Sequence, residues 1–478
     1  MRSGSPWLLA LLGAALTSAV SLERRDGLAV VEVPYTHGRV SSKGNHRRSK
    51  RSSVVDIHAK VEENAFYTNI TYGTPPQEFN VIFATVGNEC WLQGVDSSDC
   101  GLYINESLCG GDGGYNRTAS STAKLLDHSF FVNDTGSGVN GETVTDTMTI
   151  GGATIPSMKM GVGESGITMN TMGLGYGNSS STSLTQALAD AGVIKSPAFS
   201  LYRTYSDEHD PSAAENPGRI LFGGVNKAMY NGTLYTFPIV DSPAGLPKAL
   251  RINMTGVSIN ETAASPNSFP SDAVFDVYTE LTYVPEAVAK DLFAQLGVTK
   301  MPKKYGQITL PCDLSFNGTI ALKFGDAVFQ FPIGAFVSTD SPYSFDVETD
   351  DVNDCYFDIA ANYNYQDEGS TIIGAKFMQY IYAVFDLGND QVSLANRNYE
   401  ASSDDIVEIG SGKDAVPGST LQDSNGGNGA SGSSGGSGSS GSSSKSDGDG
   451  KKSAASHIGG AIGLHSIFTG LAVWMLIN

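Results

Sequence analysis

The 478-residue chain has few cysteines, few histidines and few basic residues, and each shortage excludes a class of function. Its five cysteines and seven histidines show no metal-ligand spacing, so we expect no metal and no other cofactor. Lys and Arg number 30 against 50 Asp and Glu, and the net charge of -20 argues against nucleic acid as a partner. No Gly-x-Ser-x-Gly motif follows a strand into a helix, and no glycine-rich stretch carries the Lys-Ser/Thr of a phosphate-binding loop.

The N-terminal end has the composition of a secretory leader. An apolar run follows Arg2 and ends in small residues, which predicts a signal peptide over residues 1–21; an uncleaved membrane anchor is the alternative. Residues 22–51 hold eight basic and three acidic residues and end in the dibasic pairs Arg47-Arg48 and Lys50-Arg51, which predicts a pro-segment removed by processing. Residues 52–478 carry 21 basic and 47 acidic residues. Charge therefore favours contact between pro-segment and body, with a solvated leader as the alternative.

The C-terminal end predicts a stalk and a lipid anchor. Glycine and serine fill 18 of the 21 positions in residues 424–444, which predicts a flexible stalk over residues 411–446. A polar spacer and an uncharged apolar tail follow in residues 447–478, the pattern of a GPI-attachment signal that is removed on anchoring, with Ser446 as the anchor site. A retained membrane span is the alternative. We therefore expect the secretory route to the cell surface, with membrane or cell-wall attachment through a GPI anchor.

Nine Asn-x-Ser/Thr sequons agree with the secretory route and are candidate glycosylation sites. They are Asn69, Asn105, Asn116, Asn133, Asn178, Asn231, Asn253, Asn260 and Asn317.

The segment between leader and stalk predicts two β-rich lobes. Short apolar runs alternate with Gly, Asn, Asp and Pro turns, which is a mainly β pattern. The segment is too long for one ordinary core, so we expect an N-terminal lobe over residues 52–230 and a C-terminal lobe over residues 231–410. Only residues 183–194 and 285–296 show helical periodicity.

An internal repeat supports the two-lobe division. Residues 81–87 (VIFATVG) are similar to residues 273–279 (AVFDVYT), and residues 171–175 (TMGLG) are similar to residues 371–377 (TIIGAKF). Chance would explain either pair alone, but both pairs have a spacing near 200 residues. Two lobes of one design are indicated.

These segments resemble the pepsin-like aspartic protease family, and most closely its fungal, GPI-anchored, yapsin-like group. The resemblance covers residues 61–396 and includes YTNITYGTPPQEFNVIF at 67–83, KSPAFSLY at 195–202, GRILFGGV at 218–225 and LTYVP at 281–285. It implies a mainly β, bilobal fold with a cleft between the lobes that binds a peptide or protein ligand. It also implies an active site at the base of that cleft, and we expect a monomer.

The resemblance implies a catalytic site that is incomplete. Peptide hydrolysis of this type needs two carboxylates that share one proton, one to deprotonate water and one to protonate the carbonyl oxygen. The family supplies each from an Asp-Thr/Ser-Gly motif. Here the first motif reads Ala84-Thr85-Val86, without a carboxylate, and the second reads Asp276-Val277-Tyr278. Asp276 is the one retained catalytic position, and we expect it to ionise like an ordinary, partly buried carboxylate.

Two further departures fall on the same site. Asn133 takes the position of the tyrosine in the family's flap hairpin, and Ala375 stands where relatives commonly have an aspartate. Glu89 is a candidate substitute carboxylate, but its position on a turn favours an orientation toward solvent. The sequence thus predicts a pseudoprotease with a peptide-binding role. The alternatives are an active aspartic endopeptidase with unusual site chemistry and a structural cell-wall glycoprotein.

The resemblance also implies a disulfide between Cys312 and Cys355, which the oxidising secretory route favours. The other three cysteines allow three single pairings. A short, turn-rich loop favours Cys100 with Cys109, which leaves Cys90 as a buried, inert thiol beside an apolar strand.

Overall fold

The structure of the protein is a computed structural model. It describes residues 31–33, 58–62, 65–97, 114–132, 139–165, 170–177, 182–203, 217–243, 246–298, 300–302, 306–312, 318–339, 354–363, 369–412 and 414–422. The predicted signal peptide, the two dibasic pairs, the Gly/Ser-rich tract and the C-terminal tail lie outside the described residues. Cys100, Cys109, Asn133 and Ser446 lie outside them too.

Strands dominate the first half of the chain, where β-branched and aromatic residues alternate with turn residues. Gly151 and Gly152, with φ of 52° and 79°, form the two-residue turn of the longest hairpin. The strands are β1 (Val31–Val33), β2 (His58–Glu62), β3 (Ala65–Tyr72), β4 (Gln77–Ala84), β5 (Cys90–Gln93), β6 (Lys124–Val132), β7 (Val139–Ile150), β8 (Ala153–Ser165), β9 (Thr171–Gly173), β10 (Ala198–Arg203), β11 (Pro217–Phe222), β12 (Gly224–Asn226) and β13 (Tyr230–Pro238).

Strands also dominate the second half, so the mainly β fold class predicted from the sequence is confirmed. They are β14 (Arg251–Met254), β15 (Gly256–Ile259), β16 (Thr262–Ala263), β17 (Ser271–Phe275), β18 (Thr282–Val284), β19 (Thr309–Pro311), β20 (Thr319–Phe324), β21 (Ala327–Pro332), β22 (Val337–Ser338), β23 (Asp354–Phe357), β24 (Ile359–Ala361), β25 (Thr371–Ile373), β26 (Ile381–Asp386), β27 (Gln391–Arg397), β28 (Ile406–Glu408) and β29 (Ser419–Leu421).

The described residues contain three α-helices: α1 (Leu184–Asp190), α2 (Glu286–Gln295) and α3 (Ala375–Met378). The first two lie within the predicted helical stretches, and the Ser183 hydroxyl caps α1 by accepting the Gln186 N–H at 3.3 Å. The expectation of only two helices is wrong, because the four residues of α3 are too few to show periodicity. The 3₁₀-helices within the described ranges are Arg117–Ala119, Lys227–Met229, Pro266–Ser268 and Ile333–Phe336.

The two halves repeat one arrangement of five strands. The first has the order β3-β4-β9-β5-β8, and the second has the order β14-β17-β25-β18-β24. In both, the second and third strands run parallel, and the third and fourth strands run antiparallel. The fourth and fifth strands run parallel in both. The internal repeat in the sequence therefore corresponds to a repeat of structure.

Strands from both halves share the largest sheet, which has 15 strands among the described residues. Within it β10 of the first half pairs antiparallel with β26 of the second half. Five phenylalanines of this region stand in a chain of ring contacts at centroid distances from 5.0 to 6.4 Å. In order they are Phe83, Phe222, Phe199, Phe385 and Phe275. The chain of rings connects the end of β4 to the end of β17 through one continuous core.

One predicted boundary needs correction, and another falls at the start of a strand. The expected division at residue 230 coincides with the first residue of β13, which pairs with β27 and β29 in the largest sheet. The expected start of the stalk at residue 411 is wrong, because β29 belongs to that sheet and Val416 and Gln422 are buried. The Gly/Ser-rich tract that predicted the stalk begins only at residue 424, and the apolar side chains of Ala415 and Val416 belong to the core.

Gly161 in β8 offers a test of the packing at the hairpin of β6 and β7. A Cβ there would overlap the buried ring of Phe130, which packs with Trp91 and Val139. We expect Gly161→Ala to lower the free energy of unfolding by about 1–3 kcal/mol in a denaturant titration. Gly334→Ala is the matched control, since its Cβ would meet no atom within 4 Å. Equal stability of the two variants would contradict this account.

Candidate active site

Ala84 and Asp276 occupy equivalent positions in the two repeated arrangements. Ala84 is the last residue of β4 and pairs with Gly173 of β9. Asp276 directly follows β17, and its N–H donates to the Ile373 carbonyl at 3.0 Å, one residue before Gly374. The fold therefore places the retained carboxylate and the alanine at matching points of the duplicated motif.

Two glycines show how closely the chain passes itself at these points. A Cβ at Gly173 would lie 2.7 Å from the carbonyl carbon of Asn88, and a Cβ at Gly374 would overlap the carbonyl of Leu281. At both points the backbone of one segment passes so close to the other that a side chain on the glycine would overlap it. Only glycine, which has no Cβ, fits there. The backbone framework around both positions is intact.

Thr85 joins the two halves directly. Its hydroxyl donates to the Phe275 carbonyl at 2.7 Å and accepts the Val277 N–H at 3.1 Å, and the threonine is 1% exposed. Val277 is the equivalent residue in the second half and has no hydroxyl to return the contact. We call this pair of hydrogen bonds the Thr85 bridge. The bridge therefore runs from the first half to the loop of Asp276, and Val277 makes no reciprocal side-chain hydrogen bond to the first half.

Asp276 is a buried carboxylate with both oxygens engaged. It is 1% exposed, Oδ1 accepts the Tyr278 N–H at 3.0 Å, and Oδ2 accepts the Thr279 hydroxyl at 2.5 Å. Burial raises its pKa, although the hydrogen bonds from Thr279 and Tyr278 act in the opposite direction. The expectation of an ordinary, partly buried carboxylate is wrong, because the side chain lies in the core rather than at its edge.

The raised pKa of Asp276 predicts how stability depends on pH. The folded protein binds the proton more tightly than the unfolded chain, so this group favours folding at acid pH, and its contribution is lost as the pH rises above about 4. Asp276→Asn removes the titration. We therefore expect urea unfolding to show the Asn variant gaining stability relative to the unchanged protein from acid to neutral pH. A constant difference would contradict the pKa direction.

Ala84 and Ala375 supply no polar group to the site. Ala84 is 2% exposed, so its methyl group is buried. Ala375 is fully buried, and its N–H donates to the Thr279 carbonyl at 2.7 Å. Asn133, predicted at the flap, lies outside the described residues between β6 and β7. Neither Ala84 nor Ala375 therefore supplies a second carboxylate beside Asp276.

Glu89 lies closer to the core than its sequence position suggested. It is half-buried, its Oε2 accepts the Asn88 N–H at 3.2 Å, and burial raises its pKa. The expected orientation toward solvent is therefore wrong. The carboxylate turns back onto its own loop, and this contact commits one oxygen to the backbone beside it.

Sequence reasoning missed Thr279 and the double role of Thr85. Thr279 holds Asp276 through its hydroxyl and fixes α3 through its carbonyl. A hydroxyl three residues after an aspartate in a turn is a local signal that points to the first of these contacts. The second contact has no sequence signal, because its partner is a backbone N–H almost 100 residues away.

The cysteines of the described residues differ in state. Cys312 and Cys355 form a disulfide with an S–S distance of 2.05 Å. Cys90 is fully buried, its sulfur lies 3.7 Å from the Gly173 carbonyl, and burial raises the pKa of the thiol to about 12. A thiol with such a pKa stays protonated and unreactive at neutral pH.

Five of the nine sequons lie among the described residues. Asn69, Asn231 and Asn260 are exposed, and Asn116 and Asn253 are half-buried. The Oδ1 of Asn260 accepts the Thr319 N–H at 2.9 Å, which leaves its amide nitrogen outside that bond. The remaining four, which lie outside the described residues, are Asn105, Asn133, Asn178 and Asn317.

The described residues contain neither a membrane-spanning helix nor a metal-binding cluster. No helix among them is long and apolar enough to cross a membrane. The same part of the chain holds no group of three or more His, Cys, Asp and Glu side chains placed to bind a metal ion.

Comparison with known proteins gives consistent results. The family model described as "Eukaryotic aspartyl protease" matches residues 65–397. The "Probable aspartic-type endopeptidase opsB" of Aspergillus oryzae is 31% identical over 433 residues, which cover 86% of this chain and 85% of the relative. The "Secreted aspartic protease 8" of Candida albicans is 31% identical over 352 residues, which cover 72% and 78%. The match spans both repeated arrangements.

Proposed function

Since the chain belongs to the eukaryotic aspartyl protease family, we propose that it is a pseudoprotease, which binds a peptide segment at the site of Asp276 without cleaving it efficiently. The observation that carries the proposal is the pairing of a buried, fully hydrogen-bonded Asp276 with an alanine at the equivalent position. A lone carboxylate can hold a proton or accept one, but it has no second carboxylate to do the other task.

The size of the expected defect follows from the missing group. A positioned general acid or base contributes about 10²- to 10⁴-fold to rate, so loss of one partner of a dyad leaves activity lower by at least that factor. Glu89 supplies no replacement in this arrangement, because its carboxylate contacts the backbone of its own loop. Ala375 offers only a methyl group.

The binding part of the proposal rests on the preserved framework. The close-passing glycines, the Thr85 bridge and the shared aromatic core keep both loops of the site in place. A protein that had lost all use of this region would not need a buried carboxylate, whose desolvation costs folding free energy at neutral pH. Retention of Asp276 therefore favours a continued use of this region, with the ligand bound beside the loop that carries it.

The proposal includes a place at the cell surface. Exposed sequons at Asn69, Asn231 and Asn260 support glycosylation. The apolar tail after the Gly/Ser-rich tract supports a GPI anchor, and the similarity to a secreted aspartic protease of Candida albicans supports the secretory route.

The test is digestion of a peptide library by the secreted ectodomain from acid to neutral pH. It is run with and without pepstatin, a mimic of the transition state, and beside an Asp276→Ala variant. We expect no cleavage above that of Asp276→Ala. Binding of immobilised library peptides that is weakened by Asp276→Ala would support the ligand-binding role.

An active endopeptidase is the second candidate, because the Aspergillus oryzae relative is named a probable aspartic-type endopeptidase. Cleavage abolished by both pepstatin and Asp276→Ala would establish that function and overturn the proposal. Neither cleavage nor peptide binding by a folded ectodomain would instead favour a structural cell-wall glycoprotein.

A further inference from the structure

A cluster of three polar side chains lies at α3, next to the site described above. Lys376 belongs to α3, and its Nζ lies 3.8 Å from Oδ2 of Asp358; both side chains are buried. Lys376 Nζ also donates to the Ser338 hydroxyl at 3.0 Å, and that hydroxyl donates to Asp358 Oδ2 at 2.5 Å. The three side chains therefore form one closed set of contacts in the second half of the chain.

The backbone at the start of α3 contacts the residue that holds the Asp276 carboxylate. The Ala375 N–H donates to the Thr279 carbonyl at 2.7 Å, and the Lys376 N–H donates to the Glu280 carbonyl at 3.1 Å. The Thr279 hydroxyl in turn donates to Oδ2 of Asp276. Only Thr279 therefore stands between the backbone of α3 and the carboxylate in this series of hydrogen bonds.

Asp358 contacts the other end of the same segment. Its carbonyl accepts the Thr282 N–H at 3.0 Å, and the Thr282 hydroxyl accepts the Gly374 N–H at 3.2 Å. Residues 279–282 are thus bonded both to Asp358 and to the residues that begin α3. The ion pair of Lys376 and Asp358 links these two partners directly.

α3 depends on contacts outside itself. It has four residues, and a helix of that length is not stable in water without tertiary contacts. Removal of one partner from a buried ion pair leaves an uncompensated charge, which strongly disfavours the original arrangement. The Lys376 side chain therefore supplies a restraint that the short helix cannot supply for itself.

We propose that Lys376 is a positioning residue for Asp276. Its ion pair with Asp358 fixes the start of α3 against residues 279–282, and this segment holds the Thr279 hydroxyl on the carboxylate. The proposal concerns how Asp276 is held and does not depend on whether the site binds or cleaves peptides.

The pKa of Asp276 reports on this arrangement. Burial raises the pKa, and the hydrogen bonds from Thr279 and Tyr278 lower it. A Thr279 hydroxyl that is held less firmly would lower the pKa less. Displacement of α3 is therefore expected to appear as a rise in the pKa of Asp276.

The experiment follows the Asp276 carboxyl carbon by ¹³C NMR from acid to neutral pH in the secreted protein, with Asp276→Asn to assign the signal. Lys376→Met keeps the length of the side chain and removes its charge, and we expect it to raise the pKa of Asp276. Hydrogen exchange at the amides of residues 375 and 376 should accelerate at least about tenfold. Lys290→Met, which removes an exposed charge from α2, is the matched control and should change neither readout.

A double-mutant cycle tests the route of the effect. Thr279→Val removes the hydroxyl that Lys376 is proposed to hold in place. In that background Lys376→Met should leave the pKa of Asp276 almost unchanged. An equal rise in both backgrounds would overturn the proposal, because Lys376 would then act on Asp276 by a route that does not include Thr279.

Ser338→Ala is the second variant if Lys376→Met does not fold. It removes only the hydroxyl that Lys376 and Asp358 share, and we expect smaller changes in the same directions. An unchanged pKa of Asp276 in the variant that folds would overturn the proposal. Peptide cleavage, or a lack of peptide binding, would refute the proposed function and leave these readouts unaffected.

Discussion

Replacing Thr85 by valine is expected to lower the free energy of unfolding by about 2–5 kcal/mol. Valine has nearly the same shape, so the change removes the hydroxyl without opening a cavity. The Phe275 carbonyl and the Val277 N–H would then be buried without the partner they have in the Thr85 bridge. Each such buried group costs about 1–3 kcal/mol.

Urea unfolding monitored by circular dichroism measures this effect. Thr85→Ser keeps the hydroxyl and is the matched control, for which we expect a loss of less than about 1.5 kcal/mol. Hydrogen exchange at the Val277 amide should accelerate in the valine variant and not in the serine variant. A valine variant as stable as the serine variant would show that the bridge contributes little to stability.

The second large effect concerns repair of the site. Ala84→Asp alone is expected to leave peptide cleavage at the background level, because Val86 and Tyr278 still stand where the family has glycines. The new carboxylate would also enter a position that is only 2% exposed. Its charged form is disfavoured there unless it shares a proton with Asp276.

Activity is expected only when the surroundings are rebuilt together. The combination Ala84→Asp/Val86→Gly/Val277→Thr/Tyr278→Gly should exceed the single variant by about 10²-fold or more in pepstatin-sensitive cleavage. Adding Asp276→Asn to the combination should abolish the gain, which distinguishes a restored dyad from a contaminating protease. Efficient cleavage by Ala84→Asp alone would refute the account of the site given above.

Short-range patterns in the sequence correctly predicted two helices and the repeated motifs that contain Ala84 and Asp276. The apolar faces of α1 and α2 repeat at helical spacing, and both helices lie within the predicted stretches. The repeat of short motifs placed Ala84 and Asp276 at equivalent positions, which the strand register reproduces. Such features persist in the sequence because each depends on residues close together in the chain.

Features that depend on distant backbone groups left no comparable signal. The Thr85 bridge joins groups separated by 190 residues. β1 and β29 have three residues each, and their partners β11 and β13 lie far away in the sequence. The burial of Asp276 was underestimated for the same reason, because the atoms that exclude water from it come from several segments.

The Thr85 bridge determines which residues are free to change. The first half contributes the Thr85 hydroxyl, which is a side-chain group. The second half contributes only backbone groups, the Phe275 carbonyl and the Val277 N–H. Every amino acid except proline supplies that N–H, so residue 277 can vary widely without loss of the contact. Residue 85 has only threonine and serine as side chains of suitable size and chemistry. Random substitution should therefore affect this contact unequally at the two equivalent positions: most changes at residue 85 remove it, whereas every change at the buried residue 277 except proline keeps its N–H donor.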